Sequence, residues 1–152
     1  MKYNIRYATF NDVKTVNNFL TRLIKDEKQY DVNINEKCVV FSLYENLITN
    51  ENNCILVAEY DNDLVGYLYG YMQDIGDAYL FPIAQLEAMF VDETNRKQGI
   101  GNALIKEFKR WATNKKAKYI ELKVCNDNKS AIALYSNNGF KNTKSIMSLE
   151  LK

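Results

Sequence analysis

The chain contains no histidine, a single proline (Pro82) and only three cysteines. Without histidine the commonest general base and zinc ligand is missing, so acid–base work falls to carboxylates, tyrosines or water. Cys38, Cys54 and Cys125 are odd in number and far apart, and no Cys-x-x-Cys occurs. That argues against a disulfide framework or a metal site and for a reducing cytoplasm. No apolar run approaches the roughly 18 residues a bilayer span needs, and the opening MKYNIRYATFND lacks the apolar core of a signal peptide. Charge of one sign is lacking too. Lys+Arg 20 against Asp+Glu 19 leave a net +1, too weak a field to invite nucleic acid or a membrane surface. The 152 residues, 47% hydrophobic, suit one domain, 1–152, with a proper core.

Against these absences stands one dense stretch, Gln85–Gly101, QLEAMFVDETNRKQGIG. Leu86, Ala88 or Met89, Phe90 and Val91 have strand composition, and Asp92–Asn95 reads as a polar turn. After Arg96-Lys97-Gln98-Gly99-Ile100-Gly101 the apolar spacing becomes helical: Ile100, Leu104, Phe108 and Ala112, with Ile105 and Trp111 widening the stripe. Strand, glycine-containing basic loop and helix, in that order, make an anion-binding device. The first helical amides have no intrahelical partner, the macrodipole adds partial positive charge, and glycine lets the backbone approach a phosphate. The expectation is a phosphate pocket at Lys97–Asn102. A dinucleotide fingerprint fails because Leu104 stands where its third glycine belongs, and no Gly-Lys-Ser/Thr triplet exists for a nucleotide-triphosphate loop.

What remains is Arg96-x-x-Gly99-x-Gly101, and it resembles the acetyl-CoA signature of the GNAT N-acetyltransferase superfamily. A second stretch, Asn128-x-x-Ala131-x-x-Leu134-Tyr135-x-x-x-Gly139-Phe140, is similar to that family's other CoA-side motif. The resemblance implies an α/β (α+β) fold, with a mixed, largely antiparallel central sheet flanked by helices.

The rest of the chain reads in that sense. Tyr3, Ile5 and Tyr7 alternate as a first strand. Thr9 with Asp12 is a capping-box variant for a helix to about Lys28, and 26–36 is a loop. A second amphipathic helix is predicted over Lys37–Thr49. Cys54–Tyr60 and Leu64–Met72 flank the turn Asp61-Asn62-Asp63 as a hairpin, and Gln73–Pro82 is a loop. Ala117–Val124 suits a buried strand, Ser130–Ser136 a short helix, and Thr143–Leu151 a last strand. The order is β-α-α-β-β-β-α-β-α-β.

The resemblance also implies roles. Backbone groups of Met89, Phe90 and Val91 would hold the pantetheine of acetyl-CoA, and Arg96, Lys97, Gln98, Gly99, Ile100, Gly101 and Asn102 its pyrophosphate. Tyr135 would protonate the departing sulfur, a fitting task for a phenol of pKa near 10. Asn128 would touch the pantetheine, cap its helix, or both. Glu87, in a Glu-x-x-Phe-Val segment, is the best base in a chain without histidine. An ordinary strand carboxylate is the alternative. Substrate selection would fall to the early helix–loop region and the loop before the central strand, with Tyr30, Asp31, Tyr79 and Glu87 as candidates. Asp26, Glu27, Glu36, Asp74 and Asp77 add an acidic rim suited to a cationic amine. The expected reaction is acetyl transfer to a primary amine of a small cationic molecule, by direct attack in a ternary complex. A protein lysine or N-terminus is the alternative acceptor, and a non-catalytic acyl-CoA sensor the alternative class. No metal, nucleic acid or membrane is expected, and a homodimer is compatible with the sequence.

Overall fold

The hairpin expected around Asp61-Asn62 forms in the computed structural model, which describes residues 2–152. Its strands are β2 (Asn53–Tyr60) and β3 (Asp63–Met72). Asp61 and Asn62 have φ of 51° and 67°, the left-handed pair that a tight two-residue connection requires. β3 continues antiparallel onto β4 (Ile83–Val91), and β1 (Asn4–Tyr7) pairs antiparallel with β2 on the other side. β5 (Tyr119–Glu121) joins β4 in parallel, giving the order β1-β2-β3-β4-β5.

Helices cover both faces. α1 (Val13–Glu27) follows a 3-10 turn at Phe10–Asp12, where Asp12 accepts the Thr9 N–H at 2.7 Å, as the capping pattern predicts. Its Val13, Val16 and Phe19 pack with Tyr44, Tyr67, Tyr69 and Phe90 on one face of the sheet. α3 (Ile100–Asn114) lays Leu104, Ile105, Phe108 and Trp111 on the opposite face, against Leu56, Leu68 and Leu86. Gly70 makes that approach possible: a Cβ there would stand 2.3 Å from the Phe108 ring and 2.6 Å from the Gln85 carbonyl oxygen.

Three expectations need correction. The helix predicted over Lys37–Thr49 is reduced to α2 (Tyr44–Leu47). Side chains of α1 take the backbone groups that the helix would have used. Thr21 Oγ1 accepts the Val40 N–H at 2.9 Å, Asn17 Oδ1 accepts those of Leu43 and Tyr44 at 3.2 Å, and Asn17 Nδ2 donates to Phe41 O at 3.3 Å. The strand predicted over Ala117–Val124 pairs only at Tyr119–Glu121, because β4 and β5 part beyond Gln85. The strand predicted over Thr143–Leu151 does not form: residues 141–152 are exposed and carry no helix, strand or turn. The short helix does form, as α4 (Lys129–Asn137).

Candidate active site

The site begins where the sheet opens. β4 pairs with β5 only through Ile83, Ala84 and Gln85, although β4 itself runs on to Val91. Gln73 Nε2 ties the last joined rung, donating to Gln85 Oε1 at 2.8 Å and to Glu121 Oε1 at 3.3 Å. Just past it the β3–β4 register slips: Gly70 faces Leu86 and Tyr69 faces Ala88, so Glu87 is the extra residue of a β-bulge. A bulge breaks alternation and re-aims side chains, and bulges concentrate beside functional sites. Here it leaves Leu86 and Met89 with the α3 face and Ala88 and Phe90 with the α1 face. Glu87 itself is exposed. From Leu86 to Val91 the β5 side of β4 has no strand to pair with.

The loop beyond β4 takes two left-handed turns. Lys97 has φ 60° and Gly99, the N-cap of α3, has φ 86°. Glycine suits the second position, while lysine holds the first in a conformation that L-residues seldom adopt. The first amide of α3 to find a backbone acceptor is that of Ala103, which donates to Gly99 O at 3.0 Å. Among the described residues, the amides of 97–102 donate to no backbone or side-chain group. Lys97, Gln98, Gly99 and Asn102 are exposed, and Ile100 is buried beneath them as the anchor of the helix. Gly101 keeps the floor open: a Cβ there would stand 3.2 Å from Leu134 Cδ2 and 3.8 Å from Met89 Cε. The loop expected to hold a phosphate therefore presents backbone donors with no partner among the described residues.

Arg96 has a different task from its neighbours. Its Nε donates to Val91 O at 2.8 Å, its Nη2 reaches Asp26 Oδ2 at 3.2 Å, and its guanidinium lies 5.6 Å from the Phe90 ring centroid. Arg22, which the sequence reading did not single out, works beside it. It donates to Asp92 Oδ1 at 3.0 Å and sits 4.8 Å from the same ring. The two arginines clamp the end of β4 to α1, and so fix the loop from behind.

α4 supplies the second wall. Asn128 is its N-cap, with Oδ1 accepting the Ala131 N–H at 3.2 Å and the Ser130 hydroxyl at 3.3 Å. Of the two roles expected for Asn128, the cap is the one its side chain fills. Asn138 Nδ2 donates to Asn102 Oδ1 at 2.7 Å, joining the end of α4 to the start of α3. Tyr135 lies on α4, half-buried, its ring edge-on to Phe140 at 5.7 Å. Among the described residues its hydroxyl has no hydrogen-bond partner. Burial pushes its pKa up to about 12, and the Glu27 carboxylate adds to the shift. The phenol is thus protonated at neutral pH.

Glu27, at the end of α1, is the residue whose weight the sequence did not reveal. Burial raises its pKa, as do the nearby carboxylates of Asp26, Asp31 and Glu87. Glu27 also contributes to the raised pKa of Cys125, behind burial and Asp31. The Glu27 carboxyl thus feels Asp31 and Glu87, and the Tyr135 hydroxyl feels Glu27. Burial raises the pKa values of Tyr71 and Tyr69, Tyr69 to about 12, and each also feels Glu87. Of the other acceptor-side candidates, Tyr30 is half-buried, whereas Tyr79 is exposed beneath the Lys144 ammonium, 5.6 Å from its ring centroid. The position of Glu27 in a helix-ending, polar stretch gave no cue that it lies deeper than its acidic neighbours. Among the described residues no group of three or more potential ligands is placed to hold a metal, and no helix is long and apolar enough to cross a membrane.

Known proteins fit this frame. The chain belongs to the acetyltransferase (GNAT) family, whose family model matches residues 19–140. No curated protein matches it. Among solved structures, a mutant of the BH1408 protein from Bacillus halodurans superposes with a TM-score of 0.85 at 21% identity, covering 98% of this chain and 99% of that one. The aminoglycoside N-acetyltransferase AAC(6')-Iy, in complex with CoA, gives 0.75 at 16% identity, over 98% and 99% of the two chains. An aminoglycoside acetyltransferase from an uncultured soil metagenomic sample gives 0.74 at 20% identity, with both chains covered at 100%. At these identities the likeness is one of fold.

Proposed function

We propose that the protein transfers the acetyl group of acetyl-CoA to a primary amine of a small cationic molecule, with both substrates bound together. The observation that carries this reading is the parting of β4 from β5 after Gln85, above a loop of unpartnered amides. That geometry suits an extended, amide-containing arm ending in a pyrophosphate. The strand edge offers the arm backbone partners, and the amides of 97–102 suit the pyrophosphate oxygens. Acetyl-CoA brings an activated acyl group on a thiol leaving group.

The remaining chemistry belongs to the chain. A backbone amide of Met89, Phe90 or Val91 polarises the thioester carbonyl, and the clamp of Arg22 and Arg96 keeps that strand end in place. Glu27, Asp31 and Glu87 draw an ammonium into the mouth. An ammonium cannot attack until it loses a proton, and Glu87, exposed and in no ion pair among the described residues, accepts it through water. The Tyr135 hydroxyl gives a proton to the departing sulfur. Its high pKa keeps that proton in place until a thiolate of comparable basicity appears. The Cys125 thiol, its pKa raised chiefly by burial, stays protonated and takes no part as nucleophile.

The test is purified protein with acetyl-CoA and a panel of mono-, di- and polyamines and aminoglycosides, following free-thiol release. Amine-dependent release that favours multiply charged acceptors supports the reading. Release that does not depend on any amine contradicts it.

A further inference from the structure

α4 carries the proposed proton donor, yet none of its residues is fully buried. A helix that lies so shallow is aimed chiefly by its ends. At the C-terminal end Gly139, with φ 92°, takes the left-handed conformation that turns the chain back. The Gly139 N–H then donates to Ser136 O and the Phe140 N–H to Tyr135 O, both at 3.0 Å. This pair of bonds sets the residue after the glycine against the last turn of the helix. The two side chains so joined are Phe140 and Tyr135, whose ring centroids lie 5.7 Å apart. The cap therefore fixes the Tyr135 ring relative to α4. It does not fix α4 relative to the rest of the site.

That second task falls to Asn138, between the helix and the glycine. Its Nδ2 donates to Leu134 O at 2.9 Å, within α4, and to Asn102 Oδ1 at 2.7 Å, in the first turn of α3. Its carbonyl oxygen accepts from Lys109 Nζ at 2.6 Å. Asn102 and Lys109 stand two turns apart on one side of α3. One residue is thus gripped at two points of the helix whose start bears the unpartnered amides. Swinging α4 about either contact would break the other. We infer that Asn138 is a positioning residue for the acetyl transfer. It hangs the Tyr135 cap on α3, and so registers the phenol with the loop that takes the pyrophosphate. The inference rests on the reading of Tyr135 as proton donor to the departing sulfur.

The test is Asn138→Ala, alone and combined with Tyr135→Phe, read by thiol release with the fastest amine of the panel and by magnetic resonance of labelled tyrosine rings. The Tyr135 signal is the one that Tyr135→Phe removes. Alone, Asn138→Ala should slow release about ten- to a hundredfold by misplacing the donor, with little change in acetyl-CoA affinity. In Tyr135→Phe it should cost nothing further, since no donor is left to aim. The Tyr135 pKa should fall from about 12 toward the ordinary phenol value as the ring loosens into water, while the amides of 129–137 keep their exchange protection. An undiminished rate, or an equal loss in both backgrounds, overturns the inference. So does lost protection across 129–137, because Asn138 would then hold the helix together rather than aim it. The tyrosine signal needs no turnover. A chain that releases no thiol therefore contradicts the acetyl-transfer reading, whereas an unchanged Tyr135 pKa in Asn138→Ala overturns the positioning.

Discussion

The two faces of the sheet are built from different materials. The α3 face is dry: Ile100, Leu104, Ile105 and Phe108 are almost wholly buried against Leu56, Leu68 and Ala84. The α1 face is a layer of tyrosines and phenylalanines. Tyr44 stands edge-on to Tyr67 and to Tyr69, and Phe19 stacks near Tyr67. The Tyr44 and Tyr67 hydroxyls bond each other at 3.0 Å in the interior, and burial pushes both pKa values up. One face is a passive support that sets the N-terminus of α3 at the end of β4. The other carries polar groups: Tyr69, Tyr71 and Glu27 each feel the Glu87 carboxylate. The division matches the chemistry proposed for the two substrates. A cofactor common to a family needs an invariant backbone device on a rigid mount, whereas an acceptor is chosen by polar side chains that can be exchanged singly.

The comparison can be broken first at the support. Gly70→Val places side-chain atoms where the Phe108 ring and the Gln85 carbonyl already lie, and should cost more than about 3 kcal/mol by overpacking. Urea unfolding measures it, and a loss under about 1 kcal/mol would mean that the α3 face yields more easily than its packing implies. Next is the site. Tyr135→Phe keeps the ring against Phe140 and removes only the proton donor, so turnover should fall about a hundredfold with little change in CoA affinity. Single-turnover thiol release checks it. Then comes the aromatic layer: Tyr67→Phe leaves the Tyr44 hydroxyl buried without a partner, at about 1–3 kcal/mol, read from the shift of the denaturation midpoint.

The smallest effect separates two carboxylates by sign. The Glu27 pKa is raised in the folded protein, chiefly by burial. The stability it lends is therefore present below the ordinary glutamate value and lost as pH rises through the folded value. At neutral pH the ionised group is a net cost, so Glu27→Gln should stabilise, by under about 1 kcal/mol given its partial exposure to screening solvent. The gain should vanish as pH falls below the ordinary glutamate range. Asp12 runs the other way. Its pKa is lowered, first by the hydrogen bonds from Arg6, so its contribution is present above the ordinary aspartate value and fades as pH falls through the folded one. Asp12→Asn should therefore destabilise at neutral pH and matter less in acid. Unfolding curves across the acid range test both, and parallel profiles for the two variants would refute the assignment.

The same division explains what the sequence disclosed. Helical spacing of Ile100, Leu104 and Phe108 is a local pattern imposed by a uniform apolar face, and α3 lies where that pattern puts it. The position of the glycine-bearing loop between β4 and α3 was legible because glycine and the start of a helical stripe leave fixed spacing. The Lys37–Thr49 region was not. Its apolar periodicity is real, but Thr21, 19 residues before Val40, and Asn17, 27 before Tyr44, compete for its backbone groups. The bulge at Glu87 was hidden for a similar reason, since register depends on both strands at once. Glu27 was visible only as one acid among several, because depth in a mouth is a property of neighbours from other elements. Strand alternation in 143–151 was read correctly as a pattern. It could not reveal that those residues take no strand in the structure.

The central claim, that the 97–102 amides and the free edge of β4 form a site for CoA, is tested most directly by thermal unfolding with CoA and with ATP. A ligand bound only by the folded state adds about 2.7 kcal/mol at a hundredfold excess over its dissociation constant. The account predicts a clear rise in unfolding temperature with CoA, little with ATP, and no rise with CoA in Gly99→Asp, which sets a side chain and a negative charge among the amides. Equal stabilisation by ATP and CoA, or an undiminished CoA effect in Gly99→Asp, would contradict it.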